Sequence, residues 1–271
     1  MNLSITPNEA INFKIHFEDD DLIIIEKPAR LVTQPGLGHE HDTLLNGLFA
    51  RHGAKLQNLG KSRDFGLLHR LDRETSGLLV VALRPRAYDG LRKAFEERRI
   101  SKYYWAVVQP APKHESGVIR KPIAEYEADN RRVRKLARVS SAGKPAVTAY
   151  RVISKSGLGA VVECRAVTGR LHQIRVHMEA IGAPIVGDGL YGPRGGPAAS
   201  RLALHAHRLK FEHPVTGDVI DVRTGWPKDL RGVLSRLKLK RPDDSGGVDG
   251  GKKVDGDAVL DEDPLVGENE S

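Results

Sequence analysis

Cysteine is almost absent from this chain: Cys164 is the single one in 271 residues. No intramolecular disulfide can form, and nothing points to an oxidising compartment. Long apolar runs are also missing. A membrane-spanning helix needs about 20 consecutive apolar residues, and Leu78–Leu83 falls far short. Met1–Ala10 lacks the basic-then-apolar order of a secretory signal. Metal-ligand patterns are lacking too. His172 and His177 stand five apart, the wrong spacing for two helical ligands. His205 and His207 have no cysteine or acidic cluster beside them in sequence. These absences predict a soluble, cytoplasmic protein with no metal, and an apolar content of 39% fits an ordinary globular core.

Charge is plentiful but unevenly spread. Residues 241–271 hold three basic and ten acidic side chains, a net of −7, so the first 240 residues carry +15 against a total of +8. A body that basic fits a polyanionic partner, and it equally fits a well-solvated surface. The acidic tail is rich in Gly and Asp and has no apolar periodicity, which predicts disorder. It reads as inert or as an acidic mimic competing for the basic body.

Residues 12–240 show no repeat and no linker-like stretch, so they read as one domain, followed by the tail. Leu22–Ile25 reads as a buried strand stopped by Pro28, and Leu78–Ala82 as a central one. Tyr103–Val108, Ala146–Ile153 and Ala160–Val167 add three strands, the last two joined through Ser156 and Gly157. Leu44, Leu45, Leu48 and Phe49 mark a helical face, with Gly53 as its expected stop. Leu91, Ala94 and Phe95 mark a second helix, and a third is expected from about Leu171 to Ala180, ahead of Gly182. The order is not a regular βαβ alternation. It predicts a mixed α/β (α+β) fold with an antiparallel or mixed sheet.

Two segments concentrate polar chemistry. His69-Arg70-Leu71-Asp72-Arg73-Glu74-Thr75-Ser76-Gly77 lies directly before the Leu78–Ala82 run. Loops at strand ends are common seats of catalytic groups, but an aspartate among arginines serves equally as an ion-pair partner of Arg70 or Arg73. Thr168-Gly169-Arg170-Leu171-His172-Gln173-Ile174-Arg175-Val176-His177 is the other. Here Leu171, Ile174 and Met178 share a helical face that can pack on the sheet, while His172 and Arg175, one turn apart, can face a common site.

Taken together, HRLDRETSG and TGRLHQIRVHM resemble the signatures of the RluA-type pseudouridine synthases. Further pieces fall in that family's order: Glu26-Lys27-Pro28, Gln34-Pro35-Gly36, Lys102-Tyr103-Tyr104-Trp105-Ala106, Pro184-Ile185-Val186-Gly187-Asp188, Leu190-Tyr191-Gly192, Leu204-His205-Ala206 and His213-Pro214-Val215-Thr216-Gly217. The resemblance covers about residues 15–225. Arg30 departs from it, standing where the family usually has glycine in a position that reads as a turn. The residues before Phe13 are too few for the S4 RNA-binding domain that many members carry, so the chain is similar to the compact subgroup.

The resemblance implies the pseudouridine synthase fold and an isomerase that turns uridine into pseudouridine in structured RNA, with large-subunit ribosomal RNA expected ahead of tRNA. Oligomeric state stays open, with a monomer as the default and no obligate protein partner expected. The bond from sugar to ring nitrogen breaks, the uracil rotates, and it is rejoined through a ring carbon. No atom is gained or lost, so no redox or group-carrying cofactor is expected. The implied catalytic set is Asp72 as the carboxylate, Arg175 as the arginine paired with it, and Tyr104 as the tyrosine whose ring lies against the uracil. An arginine beside a carboxylate lowers its pKa by roughly 1–3 units. Arg70 matches a motif arginine that can fill the gap left by a flipped base, and it also fits a phosphate contact or a salt bridge. Arg170 and His172 are expected at the RNA-binding surface. The basic run of Arg131, Arg132, Arg134 and Lys135 reads as an arm that grips phosphates or as a solvated loop. A non-catalytic RNA-binding assembly factor is the competing reading.

Overall fold

The computed structural model describes residues 3–127, 135–193 and 199–242. Arg131, Arg132 and Arg134, and the tail from residue 243 onward, lie outside them. In chain order the strands are β1 (Lys14–Glu18), β2 (Leu22–Lys27), β3 (Ser76–Ala82), β4 (Ser101–Val108), β5 (Ser116–Ile119) and β6 (Ile123–Glu127). They continue with β7 (Lys135–Val139), β8 (Thr148–Ser156), β9 (Gly159–Ala166), β10 (Leu204–Glu212) and β11 (Val219–Arg223). The helices are α1 (Leu44–Leu59), α2 (Pro85–Glu96), α3 (Gln173–Ala180) and α4 (Arg231–Arg236). Every strand register described is antiparallel, so the expected mixed α/β fold with largely antiparallel sheet is the one observed. Among the described residues no helix is long and apolar enough to cross a membrane.

The chain divides into two compact units. The first holds residues 3–101 and 206–224. Its strands β2 and β3 run antiparallel from Leu22 opposite Ala82 to Lys27 opposite Gly77. Leu22–Ile25 and all of β3 are buried, which is why both read as unbroken apolar runs rather than alternating ones. Helix α2 starts at Pro85, where a missing N–H costs nothing, and buries Ala87, Tyr88, Leu91 and Ala94. Helix α1 overruns its expected stop. It kinks at His52, passes Gly53 and ends at Gly60, where φ is 66°. Leu56 and Leu59 are both buried, and their burial outweighs the roughly 1 kcal/mol cost of an internal glycine.

The second unit holds residues 102–205 and 225–242 among those described. Strand β9 pairs with β4 and β8, and β8 pairs with β5. Strands β6 and β7 form a separate two-stranded hairpin. Ile174 and Met178 of α3 join a core that includes Val107, Val162, Trp105 and Trp226. Leu171 packs instead on a smaller cluster of Ile123, Ala137, Ala146 and Val176. It is not helical: His172, at φ 52°, precedes the first turn of α3. That left-handed residue swings Leu171 off the face that the 3.6-residue period assigns to it.

Candidate active site

Asp72 lies in the loop that feeds β3. Its own carbonyl accepts the Thr75 N–H at 3.1 Å, closing a tight turn. Both neighbours of Asp72 are fastened through their backbone. The Leu71 carbonyl accepts the Thr33 hydroxyl at 2.9 Å. The Arg73 carbonyl accepts Lys27 Nζ at 3.3 Å. Lys27 is fully buried and also donates to the Pro28 and Leu31 carbonyls at 2.9 and 2.7 Å. A buried ammonium is costly unless its donors are used, and these three carbonyls use them. Upstream, His69 Nε2 accepts the Val80 N–H of β3 at 3.1 Å, which places its proton on Nδ1, and its ring packs on Phe95. Downstream, Gly77 has φ 123°, and a Cβ there would stand 2.2 Å from the Ala206 carbonyl oxygen. The loop is thus held from several directions, while Asp72 is half-buried and Arg70 exposed.

The second unit contains the other motif. Gln173, buried at the start of α3, organises the preceding loop. Its Oε1 accepts the Thr168 hydroxyl at 2.6 Å and the Arg170 N–H at 3.1 Å. Its amide donates to the Val147 carbonyl and to Thr148 Oγ1. The Thr148 hydroxyl can then donate to His177 Nδ1 at 2.9 Å, and His177 Nε2–H donates to the Lys121 carbonyl at 2.9 Å. Burial holds the His177 pKa below its ordinary value, against the Lys121 carbonyl bond and with the help of the Lys121 charge.

Arg175 is buried and bound bidentately by Asp188, Nε to Oδ2 and Nη2 to Oδ1 at 2.8 Å each. Asp188 Oδ1 also accepts the N–H groups of Leu190 and Tyr191. Burial opposes ionisation of Asp188, but the Arg175 hydrogen bonds and charge outweigh it, so the carboxyl lies below its usual range. The guanidinium stands 5.0 Å from the centre of the Tyr191 ring, a cation–π distance. His172 meets the same tyrosine, its Nδ1 2.7 Å from the hydroxyl. His172 and Arg175 thus both contact Tyr191.

Tyr104 lies on β4 opposite Cys164 of β9, partly buried against the core. Its neighbour Lys102 has Nζ 3.7 Å from where a Cβ on Gly169 would stand, and burial brings its pKa down to about 8. Arg170 donates from Nε to the Pro145 carbonyl. Lys135 opens β7 and stands 3.8 Å from Glu125 across the hairpin, largely exposed. The first unit thus holds Asp72 and Arg70, and the second holds Tyr104, Lys135, Arg170, His172 and Arg175.

Asp19, Asp21 and His213 bring ligand-type atoms within 4.8 Å of one another, and each is already engaged. Asp21 forms a bidentate pair with Arg86, whose hydrogen bond lowers the carboxyl's pKa against burial. Asp19 Oδ1 accepts two backbone N–H groups, and its Oδ2 lies 3.0 Å from His213 Nε2. His213 Nδ1 accepts from Val215 and Thr216. The cluster fastens two turns to each other.

The sequence by itself assigns no role to Lys27, Gln173, Asp188 or Tyr191, although each stands within one of the motifs. A lysine at the end of an apolar strand and an aspartate between two glycines are the signals that mark two of them.

Residues 21–180 match the family model described as RNA pseudouridylate synthase. The chain is 40% identical over 238 residues to ribosomal large subunit pseudouridine synthase D of Nitrosomonas europaea, covering 85% of this chain and 67% of that one. It is 37% identical over 230 residues to the uncharacterized RNA pseudouridine synthase YlyB of Bacillus subtilis, covering 85% of this chain and 74% of that one. Among solved structures, human RNA pseudouridylate synthase domain containing 4 superposes with a TM-score of 0.65 at 27% identity, covering 84% of this chain and 94% of that one.

Proposed function

This chain belongs to the RNA pseudouridylate synthase family, and from that premise we propose that it isomerises uridines of large-subunit ribosomal RNA, with Asp72 as the catalytic carboxylate. Relatives named for the large ribosomal subunit support the choice of RNA. Residues 1–240 are the catalytic domain of this proposal, and residues 241–271 an acidic tail. The enzyme acts in the cytoplasm as a monomer.

The observation that carries the assignment of Asp72 is the construction of its loop. Thr33 and Lys27 hold the carbonyls on either side of it, so the backbone is fixed at the one carboxylate of the HRLD motif. A reacting group held on a rigid support loses little entropy in the reaction. Carboxylates serve as covalent nucleophiles, and that is the role proposed for Asp72. Tyr104 is proposed to lie against the uracil, and Arg175 to supply positive charge to the reaction. Arg70 is proposed to occupy the space of the extruded base, which costs a few kcal/mol to unstack. Arg131, Arg132, Arg134, Lys135, Arg170 and His172 complete the proposed RNA-binding surface.

Asp72→Asn tests the proposal. The variant is expected to fold and bind RNA while losing turnover by roughly four orders of magnitude or more, as removal of a nucleophile does. Retention of a tenth of wild-type turnover overturns the assignment and favours a non-catalytic RNA-binding role. Chemical mapping of pseudouridine in total RNA from a deletion strain and its parent tests the target. Loss of a modified position from tRNA alone overturns the choice of ribosomal RNA.

A further inference from the structure

Tyr191 touches three separate parts of the second unit. Its ring lies 5.0 Å from the Arg175 guanidinium. Its hydroxyl accepts the backbone N–H of Ala137, in the middle of β7, at 2.9 Å. The same hydroxyl stands 2.7 Å from His172 Nδ1, with the two rings edge to face at 5.5 Å. A phenol has one proton and two acceptor sites. With Ala137 donating to it, its own proton is available to His172. Burial raises the Tyr191 pKa to about 12, so the proton is present at neutral pH.

Strands β6 and β7 form a ladder with each other, with Ile123 alone among the described residues bridging outward, to Lys144, and a two-stranded hairpin is by itself marginally stable. Its anchorage therefore matters. Ile123 and Ala137 pack with Val176 of α3, and Leu171 and Tyr191 close the cluster. The Ala137 N–H points out of the hairpin's own ladder to the Tyr191 hydroxyl. Tyr191 is itself fixed, because Asp188 Oδ1 accepts its N–H at 3.1 Å while binding Arg175. One side chain therefore joins the hairpin's backbone, through its hydroxyl, to the Arg175 guanidinium, through its ring face.

We propose that Tyr191 is a positioning residue with two separable duties: its hydroxyl sets the β6–β7 hairpin for RNA, and its ring sets the direction of Arg175. His172 serves the first duty by receiving the hydroxyl proton. The inference rests on the reading that Arg175 serves the isomerisation and that the hairpin meets RNA.

The test uses the full chain with Tyr191→Phe and Tyr191→Leu, and an unmodified large-subunit ribosomal RNA transcript as substrate. Tyr191→Phe keeps the ring and loses the hydroxyl. KM is expected to rise about fivefold, kcat to fall less than threefold, and amide exchange in residues 135–139 to accelerate. Tyr191→Leu loses both duties, so kcat is expected to fall at least tenfold as well. Equal kcat losses in the two variants overturn the ring's duty. Unchanged exchange and KM in Tyr191→Phe overturn the hydroxyl's. If Tyr191→Leu does not fold, the exchange and KM of Tyr191→Phe still decide the hydroxyl's duty, and Tyr191→Trp, which keeps an aromatic face, decides the ring's by retaining or losing kcat. Arg175→Ala and a variant neutralising Lys135 with its neighbouring arginines are assayed alongside. Where those lose turnover and affinity respectively, the underlying reading stands, and a flat response at Tyr191 counts against the coupling alone.

Discussion

Arg175 and Asp188 form a two-pronged ion pair with both contacts at 2.8 Å and side-chain exposures of 5% and 1%. They stand 13 positions apart in the chain, and each is the other's buried counter-charge. Removing one partner of a buried pair leaves an uncompensated charge, which costs about 3–5 kcal/mol. Asp188→Ala also frees the N–H groups of Leu190 and Tyr191. The expected result is a loss of stability in that range, with turnover falling because the guanidinium loses its aim. Urea midpoints and single-turnover rates measure the two effects. A stability change below about 1 kcal/mol, the net worth of an ordinary hydrogen bond, would show that the guanidinium finds other acceptors.

His177 makes stability depend on pH. Burial lowers its pKa from the ordinary 6.5, so the unfolded chain takes up a proton that the folded chain refuses. The sign follows from linkage: the contribution is complete above about pH 6.5 and is lost as pH falls toward the folded value. Protonation would also put an N–H where His177 now accepts from the Thr148 hydroxyl. His177→Gln replaces the ring with an amide that does not titrate. Denaturant midpoints between about pH 7.5 and 5 are expected to fall for wild type and to fall less for the variant. Identical slopes would place the dependence on another group.

Parts of this arrangement can be read from the sequence, for local reasons. Strands β2 and β3 are buried almost throughout, so they appear as runs of Leu, Ile and Val. The Asp72 and Arg175 segments stand out because each packs several polar residues beside an apolar element. The partners do not stand out. Lys27 reaches Arg73 across 46 positions and Tyr191 reaches Ala137 across 54, and nothing local in either pair announces the other. Gly53 looks like a helix end because propensity is local, whereas the burial of Leu56 and Leu59 that carries α1 onward is tertiary. Arg30 adopts φ 66°, the left-handed region in which glycine is at ease; its departure from the motif changes the residue and keeps a turn.

Gly77 is expected to tolerate no side chain. It combines φ 123° with an approach so close that a Cβ would lie only 2.2 Å from the Ala206 carbonyl oxygen and 2.5 Å from its nitrogen. Backbone atoms cannot step aside as a flexible side chain does. Gly77→Ala is therefore expected to cost about 3 kcal/mol or more, beyond the common range for single substitutions. Thermal unfolding of the soluble fraction measures it. A melting temperature within about 2 °C of wild type, for which about 1 kcal/mol or less suffices, would mean that β3 can shift.

Lys27 is the most exacting test of how the Asp72 loop is built. Its ammonium is wholly buried and donates to three carbonyls, those of Pro28, Leu31 and Arg73. Lys27→Met nearly conserves length and volume and removes every donor. A carbonyl left unsatisfied costs about 1–3 kcal/mol where water cannot reach it, while removal of the buried charge gives part of this back. A net destabilisation of about 2–4 kcal/mol is expected. The functional consequence falls on the Arg73 carbonyl, one residue from Asp72. With its anchor gone, the carboxylate loses its fixed position, and misplacement by about 1 Å can cost roughly a hundredfold in rate. The single-turnover rate at saturating RNA should fall at least tenfold while RNA affinity changes little, because the proposed phosphate contacts lie elsewhere. Thr33→Val, which frees the Leu71 carbonyl on the other side, should act in the same direction and more weakly. If Lys27→Met folds and turns over at the wild-type rate, the loop does not owe its catalytic geometry to this anchor.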